Sequence, residues 1–242
     1  MSLGSVSLAG RTALVTGASR GVGLAIARAL GAAGARVALL ARSADVLERE
    51  AAAIGGGAIA VAADVTQADD VALAAVRVAD AFGGAPDILV NCAGIFTLAP
   101  AHETTVDDFV RTLDANLVAP FALVRAFLPA MKRRGSGSLV TIGSIADRGA
   151  FPENAAYAAS KFGLRGLHEV LRAELRGSGI RATLVSPGPV DTPLWDPIDP
   201  DNRPGFSPRA SMLRPDAVAA AVLYAVSQPA AVNVDELRLS AS

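Results

Sequence analysis

The chain has 242 residues, 52% of them hydrophobic and 19% charged, which is the composition of a well-cored globular protein rather than a disordered one. Lys+Arg 22 against Asp+Glu 23 leaves a net charge of −1, so no overall field draws it to nucleic acid or to an anionic membrane. A lone cysteine, Cys92, excludes an intrachain disulfide, and His102 and His168 stand in no metal-binding spacing, so no metal is expected.

The residues up to Gly10 show no basic stretch followed by an apolar core. The longest unbroken run of apolar residues and glycine, 51–63, is too short to span a bilayer. A cytoplasmic location is expected, with the first few residues frayed. From Thr12 onward short β-type runs alternate with segments of helical period. The strand candidates are 13–16, 36–41, 58–62, 87–91, 138–143, 181–186 and 234–239. Several are apolar throughout, as parallel strands covered on both faces must be.

Helices are expected at 21–33, 44–53, 69–82, 105–132, 154–177 and 215–227, the fourth bending near Pro120, where the ladder loses a donor. Strand-then-helix order implies right-handed crossovers and a doubly wound, Rossmann-type α/β fold: seven mostly parallel strands with helices on both faces. No repeat or linker divides the chain, so 1–242 reads as a single dinucleotide-binding and catalytic domain. Residues 191–214 break the rhythm. They carry Pro193, Pro197, Pro200, Pro204 and Pro208 around Trp195 and Phe206, and a loop of that length reads as a substrate lid.

The first strand runs into Thr16-Gly17-Ala18-Ser19-Arg20-Gly21-Val22-Gly23, where a helix begins. Glycines there let the backbone turn sharply and approach a pyrophosphate at the helix N-terminus. A plain glycine-rich turn for helix packing is the alternative. At the end of the second strand, Leu40-Ala41-Arg42-Ser43 offers no carboxylate for a ribose 2′-hydroxyl, while Arg42 and Arg20 suit a 2′-phosphate. That favours NADP over NAD, unless both arginines are simply solvated.

Tyr157-Ala158-Ala159-Ser160-Lys161 sets a phenol and an ammonium on one helical face. A phenol with its ordinary pKa near about 10 is a poor base at neutral pH, and a nearby cation brings it towards working range. Ser144 lies thirteen residues upstream, at the carboxyl end of an apolar strand, where open α/β sheets place their sites.

Thr16 to Gly23, Asn91-Cys92-Ala93-Gly94, Asn116, Ser144, Tyr157, Lys161 and Pro187-Gly188-Pro189-Val190-Asp191-Thr192, in that order over nearly the whole chain, resemble the short-chain dehydrogenase/reductase family. The resemblance implies a catalytic tetrad. Ser144 polarises the substrate carbonyl, Tyr157 gives or takes its proton, Lys161 binds the nicotinamide ribose and lowers the Tyr157 pKa, and Asn116 holds a water that relays protons. It also implies cofactor contacts at Gly17, Ser19, Arg20, Val22 and Gly23, with Arg42 and Ser43 near the 2′ position and Asp64 and Val65 at the adenine. Asn91, Ala93 and Gly94 would line the cofactor, and Pro187, Gly188, Val190 and Thr192 would hold its nicotinamide end. Asp64 also reads as a strand-end turn residue, and Asn91 as structural. Cys92, where the family often has a second asparagine, reads as a packing residue, as do His102 and His168.

Substrate identity should rest on the loop after Ser144 and on the lid: Ile145, Ala146, Asp147, Phe151, Asn154, Trp195 and Phe206. The leading expectation is hydride transfer between NADP(H) and a small or medium alcohol or carbonyl compound. A 3-oxoacyl-carrier-protein reductase is the alternative within the family, and a non-catalytic dinucleotide sensor or scaffold the alternative outside it. The C-terminal Val232 to Leu237 resembles the end of reductases of short hydroxy acids and small alcohols. By the same resemblance, the long helices at 105–132 and 154–177 would pair copies into a homodimer or homotetramer.

Overall fold

The computed structural model describes residues 7–242; the expectation of a frayed start falls on residues 1–6, outside them. Strands β1 (Thr12–Thr16), β2 (Arg36–Ala41), β3 (Ile59–Ala62), β4 (Ile88–Asn91), β5 (Gly137–Ile142), β6 (Ile180–Pro187) and β7 (Glu236–Leu239) form one sheet. Its order is β3-β2-β1-β4-β5-β6-β7, and every neighbouring pair is parallel. The chain winds outward from β1 in one direction and from β4 in the other, so a switch point opens between the carboxyl ends of β1 and β4.

Helices α1 (Gly21–Ala32), α2 (Ala44–Ile54), α3 (Ala68–Phe82), α4 (Val106–Leu113), α5 (Ala119–Arg134), α6 (Ala155–Glu174) and α7 (Pro215–Ser227) cover both faces. The strand pleat divides the apolar runs between two cores. Ala13, Val15, Val37, Leu39, Ile88 and Val90 meet α1, α2 and α7, through Ile26, Leu30, Leu47, Val218 and Val222. Leu14, Ala38, Leu40, Leu89 and Leu139, one residue out of phase, meet Val71 and Val78 of α3, Leu123, Phe127 and Met131 of α5, and Leu171 of α6. Uninterrupted hydrophobicity in the strands is thus two alternating faces, both buried.

Most element ends fall within a residue or two of expectation. Strand β7 starts two residues later than the apolar run because the Asn233 side chain takes the place of the ladder, accepting from Ala182 N at 3.0 Å and donating to Ala182 O at 3.1 Å. The expected bend near Pro120 takes a different form. A π turn, Asp114–Val118, joins α4 to α5 directly before the proline. The resulting helical stretch Val106–Arg134 is 29 residues long and apolar enough to cross a membrane by composition, a length that the run-based reading missed. Its buried side chains pack against α3 and α6. The 191–214 segment is less irregular than its prolines imply. It contains 3₁₀ turns at Pro193–Trp195 and Arg209–Ser211, and Arg209 pairs with both Asp191 and Asp196.

Candidate active site

At the switch point the Thr16 hydroxyl accepts from the Cys92 and Ala93 amides, each at 2.9 Å, and ties the end of β1 to the chain leaving β4. The glycine loop that follows has no room for side chains. A Cβ on Gly23 would stand 2.3 Å from the Gly17 carbonyl oxygen, and one on Gly17, itself at φ +68, would stand 2.9 Å from Ala93 Cα. Helix α1 then starts with an N-cap, Arg20, that makes no capping bond, and its first turn holds no carboxylate. Its leading N–H groups lack a side-chain acceptor, which fits a pyrophosphate against that end.

The cleft above this loop has a volume of about 1140 Å³, more than the roughly 300–1,000 Å³ of a drug-sized pocket and in keeping with a dinucleotide plus substrate. Of the residues expected at the cofactor, Gly17, Ser19, Arg20, Val22, Gly23, Arg42, Ser43, Asp64, Val65, Ala93, Gly94, Tyr157, Lys161, Pro187, Gly188, Val190 and Thr192 line it. Arg20 and Arg42 form no ion pair among the described residues. Asp64 does both things expected of it. It lines the cleft, and its Oδ1 accepts from Thr66 N at 3.0 Å and Thr66 Oγ1 at 2.8 Å, bonds that hold its carboxyl below the usual range with help from Arg42.

Strand β5 delivers Ser144 in an extended conformation at the cleft floor. Its Oγ accepts from Ala146 N at 3.1 Å, and its hydroxyl proton is directed at the Tyr157 phenol. On α6, Tyr157 and Lys161 are one turn apart; Lys161 Nζ lies 5.6 Å from the centre of the Tyr157 ring and donates to Ile142 O at 2.9 Å. Burial pushes the Tyr157 phenol up to about 12, against the pull of a hydrogen bond from the Ser144 side chain, while Asp147 and Cys92 push it further up. Burial likewise brings Lys161 down to about 8, with Cys92 and Asp147 opposing. Desolvation outweighs the polar and charged neighbours that act on the phenol. At neutral pH Tyr157 therefore holds its proton.

Three expected residues stand elsewhere. Asn91 is buried in β4 beside Thr141 rather than on the cleft, with an unpartnered Oδ1. Asn116 is fully buried: Oδ1 accepts from Ile95 N at 2.8 Å, and Nδ2 donates to Ile95 O and to Ser160 Oγ, both at 3.0 Å. Both its donors are spent on holding the Gly94–Ile95 turn against α6. The backbone carbonyl of Asn116 is the one that Pro120, lacking an N–H, leaves without its α-helical donor. Asp147 was expected at the substrate; instead its carboxylate is wholly buried behind Ser144. It takes bonds from Ser144 N at 3.4 Å, Ser186 Oγ at 2.5 Å and Arg148 Nε at 2.8 Å, and Arg148 also pairs with Glu236. Only a glycine at 143 permits this, because a Cβ there would lie 2.6 Å from Asp147 Oδ2. The pattern Ser144-x-x-Asp147 is a capping-box spacing, and that signal was present in the sequence.

Around Tyr157 and Lys161, Ser144, Ala146, Phe151, Asn154, Trp195 and Phe206 line the cleft as expected. They are joined by Phe96, which the sequence did not single out. Its ring sits edge-on to Tyr157, with centroids 4.7 Å apart. His168 is packed beneath, with Nδ1 at 3.1 Å from Thr141 Oγ1.

A family model described as short chain dehydrogenase matches residues 11–203. The chain is 40% identical to a D-threitol dehydrogenase of Mycolicibacterium smegmatis over 232 residues, 93% of this chain and 89% of that protein. Among solved structures it is similar to a metagenomic short-chain oxidoreductase in complex with NADP, with 35% identity, TM-score 0.82, and 97% and 99% of the two chains covered. A 3-ketoacyl-(acyl-carrier-protein) reductase from Brucella melitensis complexed with NADH is similar at 29% identity and TM-score 0.85, over 96% and 97% of the chains.

Proposed function

The chain belongs to the short-chain dehydrogenase family, and from that premise we propose that it moves a hydride between NADP(H) and a small or medium alcohol or carbonyl compound. The observation that carries this reading is the convergence of Ser144, Tyr157 and Lys161 in one cleft with the glycine loop. The bound nicotinamide supplies the hydride chemistry. The chain's own residues do the rest. Amides of the Gly17–Gly23 turn and of the α1 N-terminus meet the pyrophosphate. The unpaired Arg20 and Arg42, with Ser43, meet a 2′-phosphate, which supports NADP as the preferred form.

At the reacting end Ser144 turns its hydroxyl proton from the Tyr157 phenol to the carbonyl oxygen and orients it. Tyr157, protonated at working pH, gives its phenol proton to the same oxygen as the alcohol forms, and in the reverse direction takes it back. Lys161 presents ammonium donors beside it for ribose hydroxyls. Phe96 packs against the phenol ring and keeps water from that side.

The test is NADPH oxidation with a panel of carbonyls. Tyr157→Phe should lower kcat by about 10²- to 10⁴-fold while NADPH still binds; a parent-like rate would overturn the mechanism. Val106, Val110, Phe121, Phe162 and Val170 are exposed on α4, α5 and α6. They support pairing of copies across these helices, and the mass in solution checks it: a monomer at working concentration would refute it.

A further inference from the structure

We infer that the substrate pairs its carbonyl or carbinol with an aryl or medium alkyl group, and that polyols and sugar acids are poor substrates, because the reacting groups open onto an aromatic wall with no unpaired cation. This rests on the proposed hydride transfer and specifies it further.

Three rings build the wall. Phe96 meets Tyr157 at 4.7 Å and Trp195 at 5.1 Å between centroids, and Trp195 meets Phe206 at 6.2 Å, all edge to face. The row therefore starts at the catalytic phenol and runs into the 191–214 segment. Trp195 is fixed rather than swinging: its indole N–H donates to Val190 O at 3.0 Å, so its polar edge is already satisfied and its ring is left for apolar contact. Ile95, Leu98 and Met212 add further apolar lining.

The charges at this end cancel. Arg203 pairs with Glu153 and stacks over the Phe206 ring, 5.0 Å from its centre, so neither ion is left to receive a charged substrate. Of the other cations on the cleft, Arg20 and Arg42 belong to the adenosine end and Lys161 is held by Ile142 O. A substrate carboxylate would be desolvated without a partner. Outside the Arg203–Glu153 pair, Asn154, with an unpartnered Oδ1, and Ser207 are the polar side chains here, so a polyol's hydroxyls beyond the first one or two would meet ring edges and apolar side chains, and an unpaired buried polar group is what a binding site rejects most strongly. An aryl or alkyl substituent in the same place gains burial instead.

The experiment compares kcat/KM with NADPH for three probes: phenyl methyl ketone, the four-carbon trihydroxy ketose erythrulose, and 5-ketogluconate. The aryl ketone should exceed each of the others by at least about 100-fold. Trp195→Ala and Phe206→Ala should each lower kcat/KM for the aryl ketone by about tenfold or more, chiefly through KM, while Trp195→Phe retains most of it. Melting temperatures close to the parent's establish that the variants are folded. Erythrulose or 5-ketogluconate turned over as well as the aryl ketone would overturn the inference and leave hydride transfer standing. If NADPH binds but none of the three probes is reduced, the proposed function falls with it.

Discussion

The two halves of the cleft are held by different means. Around the glycine loop the chain positions its ligand with backbone: turns at Gly17 and Gly23, an open helix end, and strand ends stitched by Thr16. Around Ser144 it uses buried side chains that carry charge or protons, namely Asp147, Lys161 and His168. The first half should tolerate changes of pH and resist any added volume. The second should be the reverse, since its parts fit only in one protonation state.

The sharpest way to break this contrast is Asp147→Asn. In the amide one carboxylate oxygen becomes an NH2, so either Arg148 or the Ser144–Ser186 pair faces a donor where it had an acceptor, and Arg148 loses its buried counter-charge. About 2–3 kcal/mol of stability should go. Denaturant melts measure this, and kcat should fall at least about tenfold as the serine loosens. Stability equal to the parent's would mean that the anchor is dispensable.

Acid is the next lever. Burial brings His168 down to about 4, with Glu169, Asp235 and Glu236 opposing and Arg172 assisting. Between pH 6.5 and 4 the unfolded chain takes up a proton that the folded chain refuses, so stability falls as the pH drops through that window. The loss should reach about 2 kcal/mol by pH 5. His168→Gln should flatten that part of the pH–stability curve relative to the parent; parallel curves would exclude the histidine as the source.

The smallest expected effect lies in the other half. Arg42→Ala should shift the NADPH-to-NADH affinity ratio by about tenfold, or about 1.4 kcal/mol, with little change in stability. An unchanged ratio removes Arg42 from the 2′ site.

What was legible in the sequence divides along the same line. Strand alternation, the glycine loop and the Tyr157–Lys161 spacing are local patterns, and each lies where its period places it. The role of Asp147 is not local. Its capping spacing was visible, but its burial depends on the space at Gly143 and on Ser186 of a neighbouring strand. Phe96 gains meaning only once Tyr157 and Trp195 fold against it from α6 and the 191–214 segment. The proline in the long helix was plain, but the π turn forms one step before it, and Asn91 ends β4 one residue before the cleft-lining Cys92 without lining the cleft itself.

Strand β7 gives one last consequence. Leu239 O receives the Gly188 amide at 2.8 Å, and Glu236 pairs with the arginine that grips Asp147. Synthesis therefore delivers the glycine loop more than two hundred residues before the strand whose Glu236 braces the clasp behind Ser144. A nascent chain that has not yet emerged as far as β7 could assemble its nucleotide cradle and still leave Ser144 without that brace.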